Sequence, residues 1–382
     1  MLKIAFDVQL LMKGEKTGIG WCTENLLKNM AQYDGFVYQL NCFTLGYNSE
    51  QLQNVEKYMS LGFKIKKCTW FHDVFYRMMW SFFPVPYSLF FGKNTDITMF
   101  FNYLIPPGVR GKKIAIIYDM TYKTYPETVR NRTRHLLNLA LEKSCQRADH
   151  IITISEFSKK EIMKYLGIPK DKITVMPCGV DFSIYHPNYS VDEVNKVVEK
   201  YNIDSPYILY LGTLEPRKNI ERLIQAYGKL SEEKKNLPKL VLAGRKGWMY
   251  ESIFKTVKTL NLEEKIIFTG YVDEKDAPIL MKGAEIFLFP SIYEGFGMPP
   301  LEAMACGTPV LVSNVSSLPE VVGDAGIQVN PFSIESIKNG MEYLINNKEK
   351  RLELSLRGIQ KSKAFTWDVS AQILRKVFNG LK

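Results

Sequence analysis

The sequence has no run of apolar residues long enough to cross a membrane. A transmembrane helix needs about 18 to 20 such residues in succession, and none of the 382 residues begins one. The opening MLKIAFDVQL is typical of a strand and not of a secretory signal. Repeats and low-complexity segments are also absent. With 46% hydrophobic and 24% charged residues, the composition predicts a soluble globular protein.

Cysteine and histidine are scarce, and neither residue type clusters. The six cysteines and four histidines do not follow the short, repeated spacings of metal-binding motifs. We therefore expect no metal site, and we interpret the cysteines as reduced packing thiols of a cytosolic protein. The cysteines are Cys22, Cys42, Cys68, Cys145, Cys178 and Cys306.

Negative charge is in the minority. Lysine and arginine number 50 against 40 acidic residues, so the formal net charge is +10. Such an excess favours anionic partners, among them nucleotide diphosphates and acidic lipid surfaces. Nucleic acid is also an anion, but the sequence contains no nucleic-acid-binding module, and we expect no nucleic-acid partner.

A regular alternation of strand-like and helix-like segments fills both halves of the sequence. This alternation predicts an α/β fold with doubly wound sheets. It stops between residues 179 and 205 and then starts again. The predicted strands are 2–8, 37–43, 63–68, 96–101, 113–118, 150–154 and 172–176, followed by 207–212, 237–244, 265–270, 285–289 and 309–313.

Two Rossmann-like domains of similar size fit this pattern and the length of the chain. We predict an N-terminal domain over 1–183, a linker over 184–205, a C-terminal domain over 206–364, and a final helix over 365–382 that packs back on the first domain. Ligands of such sheets bind at the carboxyl ends of the strands, and a cleft between two domains is a usual place for them.

The first strand of the second domain ends in a basic turn, GTLEPRKN (212–219). Arg217 and Lys218 precede a predicted helix, and we expect Asn219 to cap it. Because adjacent cations at a helix start oppose the helix dipole, they indicate an anionic partner. A solvated basic turn is the simpler interpretation, but the position at a strand end and the fork geometry of arginine favour phosphate binding.

A glycine loop follows the first strand of the first domain. In TGIG (17–20), Gly18 and Gly20 open a predicted helix, with Thr23 or a neighbour as its cap. A lone G-x-G is a weak signal and is often only a turn. Its place at the carboxyl end of a strand makes it a candidate anion-binding loop.

Two glutamates lie eight residues apart in SIYEGFGMPPLEAMACGTPVLVS (291–313). The flanking apolar runs predict strand, glycine loop, short helix and strand, with Pro299 and Pro300 in the first helical turn. In the simpler interpretation, Glu294 is a solvated loop residue and Glu302 is a first-turn acid facing the helix dipole. In the alternative, backbone N–H groups approach an anionic ligand, and both carboxylates accept hydrogen bonds from its hydroxyls.

An aromatic segment, WFHDVFYRMMWSFFPVPYSLFF (70–91), stands out in the first half. We favour the interpretation that it forms a core helix followed by an extended, buried stretch. The alternative is an interfacial anchor for an anionic membrane, supported by Lys64, Lys66, Lys67 and Arg77 nearby.

Taken together, these motifs resemble the family 4 glycosyltransferases, retaining enzymes with the two-Rossmann GT-B fold. The resemblance covers essentially the whole chain, and EGFGMPPLEAMACGTPV (294–310), the E-x7-E motif of the family, is its most specific part. The other matching segments are TGIG (17–20), ISEFSK (154–159), PCGVD (177–181) and LGTLEPRKN (211–219).

The resemblance implies a nucleotide-diphosphate sugar donor, linked to GDP or UDP, and no required metal or other cofactor. Glu302 should bind the donor ribose, and Glu294 should face the sugar ring as a catalytic residue. Arg217 and Lys218 should hold the diphosphate. Further donor contacts implied by the resemblance are Gly18, Gly20, Thr213, Gly244, Tyr271, Val272, Phe296, Gly297, Met298 and Leu301.

The implied activity is transfer of a mannose-type or related hexose to a glycan or lipid-linked glycan acceptor in surface polysaccharide synthesis. The expected place is the cytoplasm, at the inner face of the plasma membrane. If Glu302 holds a ribose, the two glutamates are not an acid and nucleophile pair, which disfavours a glycosidase. A nucleotide-sugar 2-epimerase of the same fold and a non-enzymatic nucleotide-sugar sensor remain alternatives.

One pair of residues departs from the family pattern. Many relatives have His-Asp at the end of a first-domain strand, with the histidine facing the sugar, whereas this chain has Tyr118 and Asp119. Tyrosine carries protons less well near neutral pH but still donates a hydrogen bond. Tyr118 and Asp119 are kept as candidate catalytic residues with this difference.

Overall fold

The computed structural model describes residues 1–12 and 18–381, with the side chains of Ser81 and Phe82 left aside. The chain divides into two units. Unit 1 comprises Met1–Thr124, Asn131–Gly179 and Trp367–Lys382, and unit 2 comprises Tyr125–Arg130 and Val180–Thr366. This division differs from the predicted boundaries, because residues 180–205 and a short segment of the first half, 125–130, belong to unit 2.

A seven-stranded parallel sheet forms the centre of unit 1. Its strands are β1 Leu2–Asp7, β2 Phe36–Phe43, β3 Lys64–Cys68, β4 Ile97–Phe100, β5 Lys112–Ile116, β6 His150–Thr153 and β7 Ile173–Val175. They lie in the order β3-β2-β1-β4-β5-β6-β7. Strand β1 pairs with β2 from Leu2↔Phe36 and with β4 from Ile4↔Ile97, so the strand order reverses between β1 and β4. All seven strands were predicted to within two residues.

Helices join these strands and cover the sheet. They are α1 Gly18–Met30, α2 Ser49–Glu56, α3 Asp73–Phe82, α4 Ser88–Phe91, α5 Thr121–Thr124, α6 Asn131–Arg147 and α7 Glu156–Leu166. Strand–helix–strand connections of this kind bury the central strands on both faces, which is why these are largely apolar runs, whereas the edge strand β3, KIKKC, buries only Cys68. Strand β4 is buried at every position.

A six-stranded parallel sheet forms the centre of unit 2. Its strands are β8 Tyr207–Leu211, β9 Lys239–Ala243, β10 Ile266–Gly270, β11 Ile286–Phe289, β12 Val310–Ser313 and β13 Gly326–Val329. The order β10-β9-β8-β11-β12-β13 reverses between β8 and β11. Strand β13 was not predicted, because GIQV is short and only one of its four residues is buried.

The helices of unit 2 are α8 Val191–Lys200, α9 Ile220–Glu233, α10 Glu251–Thr259, α11 Ala277–Gly283, α12 Met298–Ala305, α13 Leu318–Val322, α14 Ile334–Asn346 and α15 Lys348–Ser362. Helix α8 lies in the segment predicted to be a linker. The next helix, α16 Trp367–Gly380, belongs to unit 1, where it packs against α1. There the Phe378 ring lies 6.2 Å from the ring of Phe6. Among the described helices, none has both the length and the apolar character needed to cross a bilayer.

The helix caps differ from those predicted. Helix α7 is capped by Ser155, whose side chain accepts from the Ser158 amide. The prediction for Thr23 is wrong, because Thr23 lies inside α1 and its hydroxyl donates to the Ile19 carbonyl at 2.9 Å. The prediction for Asn219 is also wrong. This residue precedes α9 in the left-handed conformation, with φ 62°, and its side chain makes no cap hydrogen bond.

The aromatic segment 70–91 is not the core element that we favoured. Helix α3 buries Tyr76, whose ring packs on Phe43 and Phe90, and α4 is buried through Phe90 and Phe91. The other face of α3 is exposed. The large apolar residues exposed in this region are Trp70, Val74, Phe75, Met78, Met79, Phe83 and Leu89. The segment therefore divides into a buried half and an exposed apolar half.

Candidate active site

Two loops of unit 2 meet at the carboxyl edge of its sheet. One follows β8 and carries Arg217 and Lys218, and the other follows β11 and carries Glu294. Since β8 and β11 are neighbours at the point where the strand order reverses, the two loops are brought together by the topology. This is the position where open α/β sheets bind ligands.

Backbone and amide hydrogen bonds fix the two loops to each other. The Ile292 amide donates to the Arg217 carbonyl at 3.0 Å. The side-chain nitrogen of Asn219 donates to the carbonyls of Pro290, at 2.9 Å, and Pro331, at 2.7 Å. Asn219 is therefore a tie between loops instead of the predicted helix cap.

The loops assemble two cations and two carboxylates. Arg217 Nη1 lies 2.7 Å from Glu294 Oε2, and Lys218 Nζ lies 2.6 Å from Glu294 Oε1. Arg217 Nη2 also lies 2.8 Å from Glu215 Oε1, and Nη1 donates to the Tyr293 carbonyl at 2.7 Å. The side chains are 19% exposed for Arg217, 11% for Lys218, 10% for Glu294 and 5% for Glu215. Buried charges persist when they are paired in this way.

The charge state of Glu294 follows from these partners. Burial alone would raise its pKa, but Arg217 and Lys218 lower the pKa of Glu294 to about 2. Burial, together with the neighbouring Arg217, lowers the pKa of Lys218 from its ordinary value. Glu294 is consequently a carboxylate throughout the physiological pH range. The interpretation of Glu294 as a solvated loop residue is wrong.

The loop that carries Glu294 is held in shape from the other side. The Ser316 hydroxyl accepts from the Glu294 amide at 3.1 Å. The Ser317 hydroxyl donates to the carbonyls of Glu294, at 2.9 Å, and Phe296, at 2.8 Å. Gly297 has φ 112°, and a Cβ there would come within 2.6 Å of the Leu318 side chain. The position therefore requires glycine for both its backbone and its packing.

Helix α12 begins directly after this loop. Its first three residues are Met298, Pro299 and Pro300, as the sequence predicted. Because proline has no N–H, Met298 alone among these three has a backbone donor for an anion. Phe296 is buried against Phe365, with ring centroids 5.8 Å apart. Leu301 has a fully buried side chain, and its amide donates to the Gly297 carbonyl at 3.3 Å.

Glu302 has surroundings unlike those of Glu294. It lies in the second turn of α12, so the interpretation as a first-turn acid is wrong. Its neighbour is Tyr185, whose hydroxyl makes a hydrogen bond with the Glu302 carboxylate. Burial raises the pKa of Glu302 to about 7, although the bond to Tyr185 works in the opposite direction. Glu302 is therefore a carboxyl group that titrates near neutral pH.

The remaining predicted positions of unit 2 lie at the ends of β8, β9 and β10. Gly212 and Gly244 touch through their backbones, since a Cβ on Gly244 would lie 2.0 Å from the Gly212 carbonyl oxygen. Thr213 follows Gly212, and its carbonyl accepts from the Tyr210 hydroxyl at 3.1 Å. After β10, Tyr271 is 62% exposed whereas Val272 is buried.

The predicted positions of unit 1 lie at the carboxyl ends of its own strands. Gly18 and Gly20 form the first turn of α1, whereas Thr17 of the TGIG motif lies outside the described residues. Tyr118, two residues after β5, is buried, and burial and the thiols of Cys22 and Cys178 raise its pKa well above the ordinary value. Asp119 accepts hydrogen bonds from the amide and hydroxyl of Thr121, at 3.0 and 2.8 Å. Since Thr121 is the first residue of α5, these bonds stabilise the start of that helix. Tyr118 is thus neutral, and its buried hydroxyl has no hydrogen-bond partner among the described residues.

Sequence reasoning missed two residues of this site. Glu215 was passed over although it lies two positions before Arg217, where an acid between a strand end and two cations was an available signal. Tyr185 lies in the segment predicted to be a linker, and nothing in its sequence context indicated a partner on α12. Among the described residues, no three acidic, cysteine or histidine side chains come close enough to hold a metal ion.

Comparisons with known proteins agree with this geometry. Two family profiles match in succession, "Glycosyltransferase Family 4" over residues 17–184 and "Glycosyl transferases group 1" over residues 192–361. The "O-antigen chain mannosyltransferase B" of Escherichia coli is 36% identical over 271 residues, which cover 70% of this chain and 70% of that protein. The chain belongs to the family 4 glycosyltransferases. A second relative of this glycosyltransferase, the "Serotype-specific mannosyltransferase WbdA" of Escherichia coli, is 34% identical over 62% of the chain but only 29% of that longer protein.

Solved structures confirm the fold of this glycosyltransferase. The sucrose-phosphate synthase of Thermosynechococcus elongatus matches 100% of the chain and 99% of its own with a TM-score of 0.76 and 18% identity. WaaG, "a glycosyltransferase involved in lipopolysaccharide biosynthesis", matches 99% of each chain with a TM-score of 0.70 and 14% identity. The predicted GT-B fold with two Rossmann-like sheets is therefore confirmed.

Proposed function

We propose that this glycosyltransferase moves a mannose-type hexose from a GDP- or UDP-linked donor to a glycan or lipid-linked glycan in cell-surface polysaccharide synthesis. The observation that carries the proposal is the cluster of Arg217, Lys218 and Glu294 at the reversal point of the unit 2 sheet. The mannosyltransferase named above supports the choice of sugar and product class. We further propose that the reaction retains the anomeric configuration and needs no metal.

Each candidate residue has a physical task in this reaction. As the bond between the sugar C1 and the diphosphate oxygen breaks, negative charge grows on the diphosphate, and Arg217 and Lys218 stabilise it. The new bond from C1 to the acceptor oxygen forms on the same face, and the acceptor proton passes to the departing diphosphate oxygen. Glu294 accepts hydrogen bonds from hydroxyls of the sugar, and Glu302 accepts them from the ribose. Tyr118, being neutral, donates a hydrogen bond and takes no proton.

Incubation with labelled donors tests this function. GDP-mannose, GDP-glucose, UDP-glucose and UDP-galactose are each supplied with and without a mannosyl lipid acceptor, and the anomeric configuration of any product is read by NMR. Transfer that needs the acceptor and retains the configuration is expected. Conversion of the donor sugar without acceptor would indicate an epimerase instead, and binding without turnover would indicate a sensor. The double variant Arg217→Ala, Lys218→Ala serves as the inactive control.

We also propose that the protein works at the cytoplasmic face of an anionic membrane. The support is the exposed face of α3, where Val74, Phe75, Met78 and Met79 form one apolar stripe. Two exposed lysines, Lys64 and Lys66, precede α3 in the chain, and a third, Lys93, follows it. An apolar stripe with cations near it suits the boundary between acyl chains and anionic head groups. All six cysteines are buried free thiols, which fits a reducing compartment.

Vesicle flotation tests the membrane contact. Wild-type protein is expected to float with vesicles that contain about 30% anionic lipid and to be released from them by high salt. It is not expected to float with neutral vesicles. The double variant Phe75→Ser, Met78→Ser should stay unbound, since both side chains are more than half exposed in α3. The matched control, Leu352→Ser with Leu356→Ser, removes equally exposed residues of α15 and should bind normally. Binding that does not depend on lipid charge, or an equal loss of binding in both double variants, would contradict the proposal.

A further inference from the structure

The cations expected to hold the donor diphosphate already have a counterion within the protein. Both oxygens of Glu294 are engaged, one with Arg217 at 2.7 Å and one with Lys218 at 2.6 Å. Glu215 adds a second carboxylate on the far nitrogen of Arg217, at 2.8 Å. Two positive and two negative charges therefore balance. A diphosphate that binds Arg217 and Lys218 has to compete with Glu294 for them.

Glu294 cannot leave these cations without a replacement. Its side chain is buried, and its backbone is held by Ser316 and Ser317. A buried carboxylate that loses its ion pairs and gains no hydrogen bonds carries a large free-energy cost. An intact nucleotide sugar brings hydroxyls that can donate to the carboxylate, because the sugar is attached to the diphosphate itself. A free nucleoside diphosphate brings only its ribose hydroxyls, which the proposed function places at Glu302 and not at Glu294.

We propose that Glu294 is a specificity-determining residue that makes the site prefer the intact nucleotide sugar over the free nucleoside diphosphate. With the sugar present, Glu294 exchanges its two cations for sugar hydroxyls. Without the sugar, Glu294 stays on Arg217 and Lys218 and opposes the diphosphate, so the spent product is bound weakly and is released. This inference rests on the proposed function, since it needs the diphosphate to lie on these two cations.

Inorganic pyrophosphate is the simplest probe, because it has the diphosphate charge and neither sugar nor ribose. Its dissociation constant is measured by calorimetry on the full-length protein. Glu294→Gln is expected to bind pyrophosphate about tenfold more tightly than wild type, equivalent to about 1.4 kcal/mol. Glu294→Asp keeps the charge and should stay within about twofold of wild type. Glu221→Gln removes an acidic side chain of α9 that pairs with Ser252 and belongs to no part of the proposed site, and this matched control should also stay there.

The outcomes separate this inference from the function on which it rests. If Arg217→Ala binds pyrophosphate as well as wild type does, the diphosphate site itself is misplaced and both proposals fail. If Arg217→Ala weakens binding but Glu294→Gln does not strengthen it, only the role of Glu294 is overturned. Equal strengthening by Glu294→Gln and Glu221→Gln would also overturn it, because a general loss of negative charge would then explain the gain.

A second measurement compares the two kinds of ligand directly. The ratio of dissociation constants for GDP and GDP-mannose, or for UDP and UDP-glucose, is measured for whichever pair binds. In wild type the nucleotide sugar should bind more tightly than the diphosphate. Glu294→Gln should reduce this preference about tenfold or more, because the variant should bind the nucleoside diphosphate more tightly and the nucleotide sugar more weakly. An unchanged ratio in a folded Glu294→Gln variant would overturn the proposal.

Discussion

Glu294 and Glu302 lie on one loop and the helix that follows it, yet the protein surrounds their carboxyl groups in opposite ways. Glu294 faces two cations, and its pKa is about 2. Glu302 faces the hydroxyl of Tyr185, and burial brings its pKa to about 7. The same residue type is thus a permanent anion at one end of the motif and a titratable group at the other. The neighbours, and not the spacing of eight residues, decide what each glutamate can do.

This difference supports the proposal that the two glutamates contact different parts of a donor. A permanent anion beside cations belongs where charge moves during the reaction, near the diphosphate and the sugar. A half-buried carboxyl group with one hydroxyl neighbour belongs where contacts do not change, as at a ribose. Four experiments test or sharpen the contrast, beginning with the largest expected effect.

Removing Arg217 should have the largest effect. Arg217→Ala should lower kcat by about two to three orders of magnitude, because loss of one preorganised charge at a reacting centre typically costs about 2.7–4 kcal/mol. Steady-state kinetics on protein with a native circular dichroism spectrum is the measurement. The control is Lys229→Ala, an exposed cation of α9 that pairs with Glu335 and not with the residues of the site. Near-normal turnover in Arg217→Ala would contradict the proposal that Arg217 stabilises the charge that develops on the diphosphate.

The titration of Glu302 should appear in the pH dependence of stability. Its pKa is raised in the folded state, so wild type loses stability as pH rises from about 4.5 to about 7 and stays penalised above that range. The gap from the ordinary value of 4.5 to about 7 corresponds to about 3 kcal/mol. Glu302→Gln should therefore gain up to that amount over wild type between pH 4 and pH 8.

Urea unfolding at both pH values measures this gain. The groups that face Glu302 or its neighbours, Tyr185, Cys306, Glu274 and Lys282, are left unchanged in both proteins. Glu294→Gln should show the opposite result, with a loss of stability at both pH values, because an ion pair is broken. A gain in Glu302→Gln that does not depend on pH would show that Glu302 is not the titrating group.

Substitution of the two glutamates should affect different kinetic constants, KM for Glu302 and kcat for Glu294. Glu302→Ala is expected to raise the donor KM roughly tenfold with a smaller change in kcat, because a contact to the ribose is the same in ground state and transition state. Glu294→Ala should lower kcat more than it raises KM. Initial rates over a range of donor concentrations decide between them. If the two variants exchange these profiles, the donor lies across the loop and helix in the reverse direction.

Chelation should have the smallest effect. Activity in excess EDTA is expected to stay within about twofold of the untreated enzyme, since Arg217 and Lys218 supply the charge that a metal supplies elsewhere. The assay is run on protein dialysed against EDTA and then repeated with added Mg²⁺ or Mn²⁺. Loss of transfer with rescue by either ion would show that diphosphate neutralisation has been assigned to the wrong groups.

The strands and the loops of the site could be predicted from the sequence because both depend on local signals. Strand-like runs predicted twelve strands, and the glycine, proline and basic residues after those runs indicated the loops that carry Arg217 and Glu294. Contacts across the chain left no such signal. Tyr185 meets Glu302 from 117 positions away, and Asn219 ties two loops where a cap was expected. The exposed face of α3 was considered only as the less favoured alternative, because composition alone does not show which side of an apolar helix packs against the core.

The position of α16 has a consequence for the order in which the protein can fold during synthesis. Unit 1 begins with the first residues, but Trp367, Leu374 and Phe378 complete its core beside α1. Until the ribosome has made residues 367–380, that part of unit 1 has an uncovered apolar surface. Unit 2 takes nearly all its residues from one continuous stretch and can close earlier. The half of the chain that is made first is thus the half that is finished last.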